Sequence, residues 1–97
     1  MPIETTPFDA AEFLTDAESV QEYLAAAFET NDAAYISKAL GTAARARGMT
    51  SVAREAGLSR ESLYRSLSES GHPELETVVK VLGALGLRLS VTAEAAH

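Results

Sequence analysis

The sequence predicts a mainly α fold, a bundle of five to six helices that contains a helix-turn-helix and ends in a short β-strand. Apolar residues recur at helical spacing in several stretches, and glycines and helix-capping residues separate these stretches. Only Leu87–Thr92 alternates apolar and polar residues in the manner of a strand. With 97 residues, the chain is long enough for one domain with a single core and too short for two.

The first third of the chain predicts a short helical turn and then a longer helix. Phe8–Leu14 is typical of a single turn that packs against the body of the protein. Thr15 and Glu18 have the spacing of a capping box, which opens a helix that runs to about Thr30. The apolar stripe of this helix consists of Val20, Tyr23, Leu24, Ala27 and Phe28.

A long helix is predicted next, over Ala33–Arg47. Asn31 and Asp32 supply its cap, and Gly48 ends it. Gly41 lies inside this helix, where glycine costs about 1 kcal/mol relative to alanine. A close crossing with a second helix would offset that cost. The positions predicted to be buried are Ile36, Leu40, Ala43 and Ala44.

Met49–Leu67 predicts two short helices joined by a tight turn, the arrangement of a helix-turn-helix. Thr50 or Ser51 can cap the first helix, and Gly57 supplies the left-handed residue that ends it. Ser59 is a natural N-cap for the second helix. The residues that face the crossing of the two helices are Val52, Ala53, Ala56, Leu58, Leu63 and Leu67.

The outward side of the second helix is a candidate DNA-reading surface. Guanidinium and short polar groups can bond base edges and phosphates, and a tyrosine ring can contact a thymine methyl group. Arg45 and Arg47, in the last turn of the preceding helix, are also well placed to reach phosphates. The alternative is a solvated helix face, because the pair Glu61 and Arg65 stabilises a helix by about 0.2–0.5 kcal/mol without DNA. The outward stripe consists of Arg60, Glu61, Tyr64, Arg65 and Ser68.

The C-terminal third predicts a helix over Glu74–Leu85, ended by Gly86, and then the strand Leu87–Thr92. This strand has no predicted partner in the chain, so it would pair with its copy in a homodimer or with a strand of another protein. A frayed tail is the alternative, and residues 93–97 are expected to be disordered. The predicted apolar face of the helix consists of Leu75, Val78, Val79, Leu82 and Leu85.

Charge is segregated along the chain. The formal net charge is -6, yet residues 1–37 hold eight Asp or Glu and no Lys or Arg, and residues 38–65 hold six Lys or Arg and two Glu. This segregation suggests two partners of opposite charge, with nucleic acid on the basic part. The alternative is that the acidic helices only keep the protein soluble. We therefore distinguish an acidic helical extension, 1–37, from a helix-turn-helix unit with its strand, 38–92.

Composition argues against an enzyme and against a metal or cofactor site. The chain has no Cys, its two histidines, His72 and His97, are isolated, and no glycine-rich phosphate loop is present. No apolar run is long enough to span a membrane, and the N-terminus is acidic where a signal peptide would be basic. We therefore expect a cytoplasmic protein without membrane contact.

The run from Ala39 to Val91 closely resembles the probable addiction-module antidote proteins, antitoxins with a Cro/repressor-type (XRE) DNA-binding domain related to HigA. The most specific pieces are ARARGM, GLSRESLYRSLS and ALGLRLSV, and the upstream segments FDAAEFL and ISKALG extend the resemblance to about nine-tenths of the chain. One residue departs from the pattern, because His72 stands where a Gly-Asn-Pro loop is expected.

The resemblance implies an antitoxin of a type II toxin–antitoxin module. Such a protein binds and inhibits a RelE/HigB-like ribonuclease toxin and represses its own operon, and we expect it to bind operator DNA as a dimer. A stand-alone prophage-type transcriptional repressor and a pure interaction module are the alternatives. The DNA-facing positions that the resemblance implies are Thr50, Ser51, Ser59, Arg60, Glu61, Ser62, Tyr64 and Arg65; the outward stripe includes most of these but not Ser62.

Overall fold

A computed structural model describes residues 9–68 and 70–94 of the protein. Regular structure in these residues is wholly helical, so the mainly α prediction is confirmed. A 3-10 helix, Ala10–Phe13, forms the single turn expected near the N-terminus, while Phe8 lies outside the described residues. Five α-helices follow: α1 (Ala17–Glu29), α2 (Ala33–Arg47), α3 (Met49–Ala56), α4 (Arg60–Ser66) and α5 (Leu75–Ala84).

α1 begins one residue later than its predicted capping box. Asp16, not Thr15, is the N-cap, and its carboxylate accepts a hydrogen bond from Ser19 N at 2.7 Å. Ser19 Oγ completes the box by accepting from Asp16 N at 3.3 Å. The expected pair of Thr15 and Glu18 is therefore wrong by one position, because the adjacent pair has the same spacing and a carboxylate acceptor. The hydrogen bonds from Ser19 lower the pKa of Asp16.

The helices enclose a single apolar core. Its largest fully buried side chains are Leu40 of α2, Val52 of α3, Leu63 of α4 and Val81 of α5. α1 covers one side of α2 with Val20 and two further residues, Leu24 and Ala27. Residue 37 lies inside α2, so the acidic extension and the following unit share this helix. Further core residues are Ala39, Ala43, Ala44, Met49, Ala53, Ala56, Leu67, Leu82, Ala84 and Leu85.

The predicted apolar face of α5 is wrong at Leu75 and Val79, whereas Val78 packs half-buried against the core as predicted. Leu75 is 70% exposed and Val79 is 49% exposed, whereas Val81, which the prediction left out, is fully buried. α5 carries apolar residues on most of its circumference, so its spacing does not select one face. Packing against α3 makes the selection, because it buries the C-terminal half of α5.

The predicted C-terminal strand, Leu87–Thr92, is also wrong. The part of the chain that the structure describes contains no strand, and residues 87–94 follow α5 without regular structure. A strand needs a ladder of hydrogen bonds with a neighbouring strand, and the described chain offers none. Gly86 (φ 79°) ends α5, and Leu87 N donates to Leu82 O at 2.8 Å. The following segment reaches the α1–α2 turn, where Asn31 Nδ2 donates to Glu94 Oε2 at 3.3 Å.

α2 crosses the C-terminal end of α4 at Gly41, and this close crossing offsets the cost of a glycine inside a helix. A Cβ placed on Gly41 would lie 2.6 Å from Leu67 O, which is closer than side chains approach a backbone oxygen. One turn before Gly41, the buried Ser37 points its hydroxyl at the same place. Ser37 Oγ lies 3.1 Å from Ser66 O and 2.9 Å from Ser68 O, so its proton is shared between two carbonyls at the end of α4. These contacts fix the position of α4 on α2.

The crossing predicts opposite effects for two glycine-to-alanine changes. Gly41→Ala should lower the free energy of unfolding by roughly 1–3 kcal/mol, because the new methyl group must displace the Leu67 carbonyl. Gly83→Ala is the matched control, since a Cβ there meets nothing within 4 Å and alanine favours the helix by about 0.5–1 kcal/mol. Urea unfolding of the two variants measures both values. Equal stabilisation by both changes would contradict the close crossing.

Candidate nucleic-acid interface

α3 and α4 are joined by the tight turn that the sequence predicted. Gly57 adopts the left-handed conformation (φ 72°), and Leu58 N donates to Ala53 O at 3.0 Å, which satisfies a carbonyl at the end of α3. Ser59 caps α4, because its Oγ accepts from Ser62 N at 3.0 Å. The turn is therefore closed by hydrogen bonds at both ends, and it holds α4 in one orientation on α3.

α4 turns its leucines inward and its polar residues outward. Leu63 is fully buried and Leu67 is 3% exposed, so both anchor α4 in the core. Tyr64 is 53% exposed and is the aromatic residue on the outer surface of α4. Arg60, Glu61 and Arg65 are exposed beside it, while Ser62 is half-buried at the flank with its amide held by Ser59. The predicted stripe is thus available to a partner, and its contact with DNA remains a prediction.

Thr50 and Ser51 lie in the first turn of α3 and do not cap it. Gly48 occupies the N-cap position, without a side-chain hydrogen bond. The expected cap is wrong because α2 ends and α3 begins on this same glycine, which leaves no separate capping residue. Thr50 is exposed and Ser51 is half-buried. The hydroxyl groups of both residues therefore lie at the start of α3 without capping it.

The two arginines at the end of α2 lie in different surroundings. Arg45 lies beside α4, where it lines a cavity of about 120 Å³ together with Tyr64. Arg47 lines a separate cavity of about 220 Å³ with Asp16 at the start of α1 and Leu85 at the end of α5. The structure thus brings Arg45 to the predicted surface of α4 and places Arg47 among residues of α1 and α5.

Arg45 is already bound to an acidic residue. Its Nη1 donates to Asp9 Oδ2 at 3.0 Å, and this hydrogen bond is the main cause that raises the pKa of Arg45 and lowers the pKa of Asp9. Asp9 is held in turn by Ala11, whose N–H donates to Asp9 Oδ1 at 3.1 Å. Asp9 and Arg45 are 36 positions apart, so no local pattern in the sequence indicated this pair.

Lys38 was not among the predicted site residues, although it lines the same cavity as Arg45 and Tyr64. Lys38, Thr42 and Arg45 follow one another at spacings of four and three on α2, which places them on one face. This spacing was the available signal. It does not identify Lys38 by itself, because the sequence does not reveal which face of α2 borders α4.

The chain matches the family model described as probable addiction module antidote protein over residues 4–93. The chain belongs to this family. The resemblance of the sequence to antidote proteins is thereby confirmed, and an antidote role implies a toxin partner of some kind. The relation to HigA and the Cro/repressor-type DNA-binding domain remain predictions for this antidote protein.

A relative from Haemophilus influenzae (strain ATCC 51907 / DSM 11121 / KW20 / Rd), described as an uncharacterized protein, is 48% identical over 84 residues. The alignment covers 87% of this antidote protein and 87% of the relative. The comparison with solved structures found no significant match. Within residues 9–68 and 70–94, no helix has the length and apolar character that crossing a membrane requires.

Proposed function

We propose that this antidote protein represses its own operon through α4 and neutralises a RelE/HigB-like ribonuclease toxin through its acidic helix α1. It acts by binding rather than by catalysis, in the cytoplasm, where both operator and messenger RNA are found. The observation that carries the proposal is the outward face of α4, which holds exposed arginines and Tyr64 on a helix anchored at Leu63. Membership of the antidote family supports a toxin partner of some kind.

The exposed arginines of α4 support the proposed contact with DNA. Arg60 and Arg65 are both exposed, and neither forms an ion pair with any described residue, so their guanidinium groups are available to base edges or phosphates. Thr50 and Ser59 stand at the starts of α3 and α4, where hydroxyls and amides suit phosphate contacts. A two-fold dimer would bring two copies of α4 to half-sites about 34 Å apart, or a multiple of that.

The toxin contact follows from a carboxylate stripe on α1. Glu18, Glu22 and Glu29 are spaced by four and seven residues, which places them within roughly 40° of one another on a helix with 3.6 residues per turn. All three are exposed, and none is paired with a described cation. A ribonuclease needs a basic surface to hold RNA phosphates, so this stripe is complementary to it. Binding there would exclude RNA from the toxin.

Replacing the arginines of α4 tests the DNA-binding part. Arg60→Ala or Arg65→Ala should weaken binding to the duplex upstream of the gene by roughly 1–3 kcal/mol, about 5- to 150-fold in Kd. Arg88→Ala is the matched control, because it removes an exposed arginine from the C-terminal segment. Electrophoretic mobility shift at several salt concentrations measures the effect. Equal losses in all three variants would indicate net charge alone and contradict readout by α4.

Reversing charges on α1 tests the toxin-binding part. Glu18→Lys combined with Glu22→Lys should weaken binding to the toxin encoded beside the gene by 10-fold or more, in the manner of charge pairs across an interface, and should abolish protection of cells that express it. Glu55→Lys on α3 is the control for a single exposed charge. Calorimetric titration measures the affinity of the α1 variant and of the control for the toxin. Unchanged toxin binding in the α1 variant, with DNA binding intact, would move the toxin site elsewhere.

A further inference from the structure

The cleft between α2 and α4 gathers several groups that bind anions. Lys38 and Arg45 of α2 line it, together with Tyr64 of α4 and Ser68 after it. Gly41 also lines it, and the absence of a side chain there allows the close helix crossing. The cleft opens beside the exposed stripe of α4, so a ligand on that stripe would lie next to it.

Arg45 in this cleft already holds one anion. Asp9 Oδ2 accepts from its Nη1 at 3.0 Å, and a longer contact of 3.5 Å joins Nη2 to Thr42 Oγ1. A carboxylate bound to a guanidinium group uses the same planar donors that a phosphate would use. The bond to Arg45 and the bond from Ala11 both lower the pKa of Asp9, so this carboxylate stays ionised at any pH above its ordinary value of 3.8. In the free protein Asp9 therefore pairs with Arg45, and because this pair is exposed at the surface, a competing anion can displace it.

Lys38 differs from Arg45 in this respect. It is exposed, and it forms no ion pair with any residue in the part of the chain that the structure describes. Among the described residues, Arg45 thus has a carboxylate partner in this cleft and Lys38 has none. An incoming phosphate group would meet Lys38 without an internal competitor but would have to share or displace Asp9 at Arg45.

We propose that this cleft receives a backbone phosphate of DNA and that Asp9 is a built-in competitor for it on Arg45. This inference rests on the proposed DNA binding. It adds a phosphate-binding site and identifies Asp9 as the residue that weakens phosphate binding there. Because a phosphate contact carries no base information, the site contributes equally to specific and non-specific DNA. Any event that separates Asp9 from Arg45 therefore raises the affinity of the protein for DNA.

The 97-residue chain, three single variants and an Arg45→Gln background test this proposal. Asp9→Asn removes the charge but keeps a side chain that can cap the 3-10 helix, and Glu12→Gln removes a charge from the same helix without a contact to Arg45. The probes are the duplex upstream of the gene and a scrambled duplex of equal length. Asp9→Asn should tighten binding to both duplexes by about 3- to 10-fold, and Glu12→Gln should change it by less than about 2-fold. Lys38→Gln should weaken both and lower the salt slope by about one unit.

Two results would overturn the proposal. If Asp9→Asn and Glu12→Gln strengthen binding equally, only the net charge matters and Asp9 is no competitor. If Asp9→Asn has the same effect when Arg45 is already Gln, the effect does not pass through Arg45. A wild-type protein that binds neither duplex at low salt overturns the proposed function itself, and this outcome is distinct from the first two. Thermal unfolding of each variant shows that it is folded.

Discussion

The fold depends on the close crossing of α2 over the end of α4. Gly41 permits the approach to the Leu67 carbonyl, and Ser37 ties two further carbonyls at the same place with one buried hydroxyl. α4 is only seven residues long, and so short a helix is not stable alone in water. Its orientation is therefore imposed by this crossing, by the turn at Gly57 and by the buried Leu63. These contacts therefore determine how rigidly the outer surface of α4 is held.

Acidic and basic residues lie on different elements of the molecule. The acidic stripe of α1 and the basic residues of α2 and α4 lie on different helices, which suits partners of opposite charge. A separate acidic residue, Asp9 at the start of the 3-10 helix, pairs with Arg45 at the end of α2 beside Tyr64. An event at the N-terminal segment can thus alter the basic cleft through a single hydrogen-bonded ion pair.

Local patterns in the sequence predicted much of this structure, but they did not predict contacts between residues that are distant in the sequence. The left-handed Gly57, the cap at Ser59 and the anchor Leu63 each depend on neighbours within a few residues, so the turn and α4 were placed correctly. The exposure of Val79 depends on which helices pack together, and the periodicity of the sequence does not contain that information. The same holds for the ion pair between Asp9 and Arg45. Alternation alone suggested a strand at Leu87–Thr92, although a strand also requires a partner.

We propose that this small helical protein uses separate surfaces for DNA and for toxin. Amide hydrogen exchange of the 97-residue protein, measured free, with the upstream duplex and with the toxin, tests this most directly. We expect DNA to slow exchange chiefly in residues 59–68 and the toxin to slow it chiefly in residues 17–29. Protection of the same residues by both partners, or of α1 by DNA, would contradict it.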